Sequence, residues 1–226
     1  MSHVYVLALT SHHRPPITID GRRIEFVRVE NVCAAIERRD APPAVSEAEL
    51  RSQHDIVTAI FNQTDELLPV RFGAWIDKQE LSNVLARQQT AIVEALGLVR
   101  GRVQMTIRFP GSRLAARTDQ QSRHHSGPGT AYLQSRRNTE QGMPDEAAAL
   151  TGAVRDLIVA ERVSPGSQAR AGSVDSARLQ QIPALYHLIS REAVTAYITV
   201  TLPFRSATVT VTGPWPPFAF APDPWL

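Results

Sequence analysis

Apolar residues near the N-terminus are arranged in runs that predict strands rather than helices. Residues 3–9 form a continuous apolar run, which is typical of a central strand covered on both faces. Residues 17–29 carry apolar positions on both sides of Asp20-Gly21, a dipeptide that favours a tight hairpin turn. A second turn at Glu30-Asn31 leads into a further apolar run. The pattern therefore predicts a small antiparallel sheet before any helix.

Helical spacing begins at Ser46, which Glu49 follows three residues later. This capping-box arrangement satisfies two backbone N–H groups at the start of a helix. We expect the helix to end near Phe61 and to face the sheet with the residues that recur at helical spacing, namely Leu50, His54, Val57, Ile60 and Phe61. A lone histidine among apolar residues is more often a packed residue, hydrogen-bonded to the backbone, than a catalytic base, and we interpret His54 in this way.

A strand over residues 67–73 follows and ends at Gly73. Asp77 and Glu80 then begin a second helix, which the pattern ends at Gly97. Residues 99–109 alternate between apolar and polar positions, which predicts an antiparallel strand with one wet face. The order of strand, hairpin, helix, strand, helix and strand indicates an α+β sandwich of the ferredoxin-like kind.

The character of the chain changes after Phe109. Residues 110–128 are rich in arginine, histidine and glycine and predict a flexible connector, whose arginines we interpret as solvated rather than as contacts to an acidic partner. The chain is therefore divided into an N-terminal domain over residues 1–109, this connector, and a C-terminal α+β domain over residues 129–226.

In the C-terminal domain, Pro144-Asp145-Glu146 begins a helix whose apolar side carries Leu150, Val154, Leu157, Ile158 and Val163. Residues 168–182 have a weak pattern and are interpreted as a strand, and residues 184–189 form a clearer one. The run over residues 191–202 has β-branched content that favours a strand and apolar spacing that favours a helix, so the pattern leaves both open.

A last strand over residues 207–212 alternates threonine and valine, and Gly213-Pro214 is expected to end it. Residues 213–220, called the strap below, contain three prolines and predict a stiff polyproline-like segment. The strap carries Trp215, Phe218 and Phe220. We expect Trp215 and Phe218 to close the core of the C-terminal domain, and we expect Phe220, with Trp225 beyond it, to offer exposed contact surface.

Composition narrows the function classes. The chain has 226 residues, 43% of them apolar, and a net charge of +2 with dispersed arginines, so no nucleic-acid footprint is expected. The single cysteine, Cys33, allows no intrachain disulfide and is interpreted as a small buried hydrophobe in a reducing compartment. The N-terminus has no basic segment followed by a long apolar run, and no stretch has the length of a membrane span. We expect an intracellular protein without membrane contact.

No catalytic or cofactor motif is present. The chain has no G-x-S-x-G elbow, no G-x-x-x-x-G-K loop, no H-E-x-x-H helix and no G-x-G-x-x-G turn. The pairs His12-His13 and His124-His125 lie in predicted loops, where adjacent side chains point in different directions, so neither forms a metal site by itself. We expect no enzyme activity, no cofactor, no metal and no small-molecule substrate.

Three segments together resemble one protein family. Residues 67–73 (LLPVRFG), 129–133 (GTAYL) and 212–218 (TGPWPPF) are similar, in order and spacing, to segments of the GvpL/GvpF family of gas vesicle accessory proteins. The resemblance covers nearly the whole chain. It is specific because the segments at 67–73 and 212–218 are both unusual and occur together. The family usually has an Asn-containing strand and a Phe-rich helix before the strap, whereas this chain has LYHL at 185–188 and VTAY at 194–197.

The resemblance implies a modified ferredoxin-like N-terminal domain and a C-terminal α+β domain that is also ferredoxin-like and is closed by the strap, with a helix at 191–202. It also implies a non-enzymatic assembly factor that associates with the hydrophobic shell protein GvpA and with other accessory proteins, in the cytoplasm and at the gas vesicle. We hypothesise that an exposed patch binds shell subunits, containing some of the strap aromatics Trp215, Phe218 and Phe220 or the surface beside Arg71, Phe72 and Trp75. For Arg71, a buried bidentate ion pair is the alternative.

Two other functions stay open at this point. A small-ligand-binding or hydrolytic protein would use the crevice between the two domains, where pockets tend to form. Nucleic-acid binding through the arginine-rich connector would make affinity fall steeply with salt.

Overall fold

The computed structural model describes residues 3–109, 145–164 and 184–222. The chain divides into two compact units, Met1–Gln104 with Pro214–Leu226, and Met105–Gly213. From Pro214 onward the strap thus belongs to the first unit, whereas the sequence assigned it to the C-terminal domain. The predicted connector at 110–128, the predicted strand at 168–182 and Trp225 lie outside the described residues.

The first sheet is antiparallel, as predicted. Its strands are β1 (His3–Thr10), β2 (Ile17–Ile19), β3 (Arg22–Val29), β4 (Val32–Arg38), β5 (Leu68–Pro69) and β6 (Trp75–Asp77). The order is β2-β3-β4-β1-β5, and β6 also pairs with β1. Asp20 and Gly21 have φ values of 50° and 75°, the left-handed backbone that a tight hairpin turn requires. Cys33 on β4 is fully buried, as expected, and burial raises the pKa of its thiol.

Helix α1 (Glu47–Phe61) begins where the capping box predicted, since the Ser46 hydroxyl accepts a hydrogen bond from the backbone N–H of Glu49 at 3.2 Å. The buried side of the helix differs from the prediction. It consists of Gln53, Ile56, Val57, Ile60 and Phe61. Leu50 is 46% exposed, and His54 lies at the margin of the buried side. The helix is rotated about its axis relative to the predicted orientation, with a polar residue, Gln53, in a core position.

The predicted second helix is two helices, α2 (Lys78–Arg87) and α3 (Gln89–Val99). Asp77 caps α2 as predicted, with its Oδ1 accepting from the backbone N–H of Gln79 at 2.8 Å. The helix is interrupted at Gln88, which separates α2 from α3. Gly97 lies inside α3 rather than at its end. Apolar residues continue at helical spacing across the break, so the pattern gave no sign of it.

The second sheet contains β7 (Arg102–Arg108), β8 (Ile158–Ser164), β9 (Ala184–Ser190) and β10 (Thr210–Trp215), in the order β10-β7-β9-β8. The wet face predicted for β7 is wrong, because Gln104 and Thr106 are buried. The predicted end of the last strand at Gly213-Pro214 is also wrong, since β10 continues to Trp215. A proline is tolerated there because β10 lies at the edge of the sheet, where a missing N–H breaks no ladder.

Helix α4 (Asp145–Ala153) ends earlier than predicted. A 3-10 turn (Arg155–Leu157) follows it, and Ile158 and Val163 lie in β8, which pairs with β9. The segment at 191–202, which the pattern left open between strand and helix, is helical. It forms helix α5 (Val194–Thr201), and the 3-10 turns Arg191–Ala193 and Leu202–Phe204 flank this helix. No helix among the described residues is long and apolar enough to cross a membrane.

Glu66 holds the start of β5 in place. Its fully buried carboxylate accepts from the backbone N–H of Ser11 at 3.1 Å and from Arg100 Nε at 2.7 Å. Burial alone would raise the pKa of this carboxyl, but the hydrogen bonds from Ser11 and Arg100 outweigh it and lower the pKa. The carboxylate therefore joins the loop after β1 to the end of α3.

Candidate partner-binding site

The motif at 67–73 forms an interrupted edge strand rather than a continuous one. Val70 donates its N–H to the carbonyl of Leu7 at 3.0 Å, and Val6 donates to the carbonyl of Ala74 at 2.9 Å. These two bonds join β1 to both flanks, so Arg71, Phe72 and Gly73 protrude between them. This segment is called the 71–73 excursion. Gly73 has a φ of 89°, which favours glycine, and its carbonyl accepts from the N–H of Trp75 at 2.7 Å.

Two buried side chains lie beneath the excursion. Tyr5 on β1 donates its hydroxyl hydrogen to Gln53 Oε1, and Gln53 Nε2 donates to the carbonyl of Val70 at 2.9 Å. The N–H of Gly73 donates to the Tyr5 hydroxyl at 3.5 Å. The ring of Phe72 meets the ring of Tyr5 edge-on, with centroids 6.3 Å apart.

The Tyr5 ring also contacts a charge. The guanidinium of Arg39 lies 5.1 Å from the ring centroid, within the range of a cation–π contact. Burial raises the pKa of Tyr5 to about 12, and the hydrogen bond from the Gly73 backbone offsets part of that effect. The hydroxyl therefore stays protonated near neutral pH and keeps its role as donor to Gln53.

The strap is anchored to the first unit along one side. Pro216 and Pro217 are buried, and Phe220 is only 1% exposed. The backbone N–H of Ala219 donates to Oε1 of the buried Gln104 at 2.7 Å. The backbone bends at this point, since residues Phe218–Phe220 form a 3-10 turn rather than the extended segment predicted from the prolines.

The other side of the strap lies against His54. The imidazole meets the Trp215 ring at a centroid distance of 5.5 Å and an angle of 65°, and it stacks on the Phe218 ring at 5.8 Å and 18°. His54 and Trp215 are half-buried, and Phe218 is 38% exposed. These three residues are called the His54 cluster. The cluster leaves part of its aromatic surface exposed to solvent.

The structure places the six predicted contact residues in different surroundings. It brings Trp215 and Phe218 together through His54. Phe72 is half-buried on Tyr5, and Trp75 stacks on His3 at 5.5 Å and 11°. Arg71 is exposed rather than buried.

The predicted roles of the two strap phenylalanines are reversed. Phe220 was expected at the surface and is buried, whereas Phe218 was expected in the core and is exposed. Both lie within one short 3-10 turn, where residues two positions apart direct their side chains to different sides.

Sequence reasoning missed Tyr5 and Gln53, which organise the excursion. One signal was available for Gln53, because it lies three and four residues before Ile56 and Val57 and so completes their apolar stripe. A polar residue at such a position predicts a buried hydrogen-bonding group. Tyr5 gave no signal, since a tyrosine in an apolar run is ordinary core composition.

A second buried polar group lies in the second unit. His187 is fully buried on β9, with Nδ1 2.7 Å from the Tyr197 hydroxyl and Nε2 3.1 Å from Glu161 Oε2. A carboxylate only accepts, so a neutral ring carries its hydrogen on Nε2 and accepts from Tyr197 at Nδ1. The chain of bonds joins β8, β9 and α5. Within the described ranges, no group of three or more His, Cys, Asp or Glu residues is placed to hold a metal ion.

Comparisons with known proteins agree on the family and the fold. The sequence profile of the family described as "Gas vesicle synthesis protein GvpL/GvpF" matches residues 3–222. Among solved structures, the gas vesicle protein GvpF from Microcystis aeruginosa has a similar fold, with a TM-score of 0.68, 12% identity, and coverage of 98% of this chain and 100% of that chain.

The gas vesicle protein GvpF from Anabaena sp. PCC7120 has a TM-score of 0.63 and 12% identity, with coverage of 98% of this chain and 99% of that chain. At this identity the similarity concerns the fold alone. No curated protein sequence matches the chain.

Proposed function

Because the chain belongs to the gas vesicle synthesis protein GvpL/GvpF family, we propose that it is a non-enzymatic accessory protein of gas vesicle assembly. In this role it binds the hydrophobic shell protein GvpA and other accessory proteins while the vesicle forms. Its place of action is the cytoplasm and the gas vesicle.

The physical need for such a protein follows from the hydrophobic effect. A shell subunit with a large apolar surface aggregates with its own copies unless that surface is covered before assembly. A partner with an exposed aromatic surface covers it by burying apolar area, and releases it when a second subunit offers a larger contact.

The observation that supports this function most directly is the exposed side of the His54 cluster. Pro217 and Phe220 fix the strap on the first unit, while Phe218 is 38% exposed beside the half-buried Trp215. Aromatic rings held by a fixed backbone offer large contact area at little cost in side-chain entropy. We propose that Trp215 and Phe218 are the main contacts to shell protein.

The 71–73 excursion supplies a second part of the proposed surface. Arg71 is exposed, Phe72 and Trp75 are half-buried, and arginine and aromatic residues are enriched in protein interfaces. The two parts are carried by neighbouring residues of α1, because Gln53 contacts Val70 and His54 contacts the strap rings. We propose that Arg71, Phe72 and Trp75 add specificity to a contact whose apolar area comes from the strap.

Shell-protein binding by purified variants tests the proposal. Trp215→Ala and Phe218→Ala each remove an aromatic contact, and we expect each to weaken binding by about tenfold, or about 1.4 kcal/mol. Trp75→Ala is expected to weaken it less. Leu202→Ala is the matched control, since Leu202 is 52% exposed in the second unit and lies outside the proposed surface.

Circular dichroism establishes that each variant is folded before binding is compared. Unchanged binding by all three aromatic variants would contradict the proposed surface. Failure of the wild-type protein to bind shell protein would contradict the proposed function itself.

A further inference from the structure

Gln53 uses both ends of its side-chain amide. Its Oε1 accepts from the Tyr5 hydroxyl, and its Nε2 donates to the carbonyl of Val70 at 2.9 Å. The Tyr5 hydroxyl in turn accepts from the N–H of Gly73 at 3.5 Å. The residues on each side of Arg71-Phe72 are therefore both joined to one pair of buried side chains.

Only certain side chains can do this at position 53. The position is buried, with 4% exposure, and it needs an acceptor for Tyr5 and a donor for Val70. A leucine of similar size supplies neither, and an ionised glutamate supplies no donor. A buried group left without its hydrogen-bonding partner destabilises the folded state. The amide is therefore suited to hold the Val70 carbonyl at the flank of the excursion.

The ladder of the sheet does not by itself set the excursion. Backbone bonds join β1 to Val70 on one flank and to Ala74 on the other. Between them the chain turns through Gly73, whose φ of 89° is a conformation with few steric limits for glycine. The hydrogen bonds from Gln53 to Val70 and from Gly73 to Tyr5 restrict the backbone conformations that Gly73 can adopt.

We propose that Gln53 is the positioning residue that holds the 71–73 excursion in the conformation that binds a partner, an inference that rests on the proposed function for the binding step. Gln53 acts through Val70 and Tyr5 and does not touch the partner. Its neighbour His54 contacts Trp215 and Phe218. One turn of α1 thus organises both parts of the proposed surface.

Two variants of the full-length protein test this role. Gln53→Leu keeps the volume and removes both hydrogen bonds. We expect amide hydrogen exchange at residues 71–74 to become about tenfold faster or more, because the two hydrogen bonds that restrict this segment through Gln53 are lost. Binding to shell protein is expected to weaken by about the same factor, with Arg71 and Phe72 still present.

Gln53→Glu is the conservative variant. A protonated glutamic acid has one acceptor and one donor and reproduces the amide network, whereas the ionised form does not. Burial favours the protonated form, so we expect this variant to behave like the wild type at pH 5 and like Gln53→Leu at pH 9. Because intrinsic amide exchange itself becomes faster with rising pH, each variant is compared with the wild type at the same pH, and Gln53→Leu is expected to differ from the wild type by about the same factor at pH 5 and at pH 9.

Thr201→Val serves as the control for general destabilisation. It removes a buried hydroxyl that donates to the Tyr197 carbonyl at 2.9 Å in the second unit, so exchange at residues 71–74 is expected to stay as in the wild type. If Gln53→Leu leaves that exchange unchanged, the positioning role is wrong whatever happens to binding.

Faster exchange with unchanged binding would overturn the link between the excursion and the partner, while a role of Trp215 and Phe218 would still stand on its own test. If Gln53→Leu does not fold, the pH dependence of Gln53→Glu decides the question, and the absence of any pH dependence overturns the proposal.

Discussion

Two fully buried tyrosines, one in each unit, form contrasting hydrogen-bond networks. In the first unit, Tyr5 donates to the amide of Gln53, and the network ends on the backbone of a surface excursion. In the second unit, Tyr197 contacts His187, which contacts Glu161 on the edge strand β8. The first network contains a neutral amide, whereas the second contains an imidazole and a carboxylate.

The difference separates a network that shapes a surface from one that holds elements together. Tyr197 and His187 join α5 to β9, and Glu161 extends the contact to β8, so the core of the second unit depends on them. Tyr5 and Gln53 lie equally deep, but their bonds lead to Val70 and Gly73, next to the exposed Arg71. Whether a buried polar group shapes a surface or holds the core together is therefore seen only from the residues at which its hydrogen bonds end.

The largest expected effect is on the second network. His187→Ala leaves the Tyr197 hydroxyl buried without its partner and opens a cavity, so we expect the free energy of unfolding to fall by about 3 kcal/mol or more. Urea denaturation measures this. His54→Ala makes the same change at a half-buried ring and is expected to cost less than about 1 kcal/mol. Equal losses in the two variants would contradict the contrast.

Tyr5→Phe is expected to have an intermediate effect, about 1–2 kcal/mol at neutral pH, because Gln53 Oε1 loses its donor. Since burial raises the pKa of Tyr5 to about 12, the folded state keeps the proton longer than the unfolded state does. The stability contributed by the hydroxyl is fully present below about pH 10, the ordinary value, and is lost as pH rises towards 12.

Urea denaturation between pH 8 and pH 12 checks this prediction. The difference in stability between wild type and Tyr5→Phe is expected to shrink above pH 10. A difference that stays constant over this range would show that the Tyr5 hydroxyl titrates alike in the folded and unfolded states.

The smallest expected effect on stability is that of Phe218→Ala. The ring is partly exposed and stacks on a half-buried imidazole, so its removal is expected to cost less than about 1 kcal/mol. A thermal melt at neutral pH measures this. A loss of several kcal/mol would mean that Phe218 closes a core, and the proposed partner surface would then have to exclude it.

Local features were predictable from the sequence because their causes are local. Asp20-Gly21 forms the hairpin turn, and Ser46 and Asp77 cap the helices that they were expected to cap. Each of these depends on residues only a few positions apart. The mixture of helices and antiparallel sheets, and the family itself, also followed from the sequence. The ferredoxin-like description of each domain stays a prediction.

The candidate site was predictable only in part. Trp215, Phe218 and the segment around Arg71 were named as contact residues from their sequence motifs, and that role stays a prediction. Which ring faces the solvent was predicted wrongly. The phase of α1 was misjudged at Leu50, because hydrophobicity alone gives no weight to a buried glutamine. The break at Gln88 was hidden because apolar spacing continues across it.

By itself, the sequence determined the Asp20-Gly21 turn, the helix caps at Ser46 and Asp77, the strands before the first helix and the family, since these depend on short-range sterics and on distinctive sequence motifs. The tertiary structure decided that the strap packs on the first unit, with Phe220 inward and Phe218 outward. It also decided that Gln53 and Tyr5 meet beneath the 71–73 excursion. Such contacts join residues far apart in the chain, and their choice depends on the shape of the surface that the rest of the fold presents.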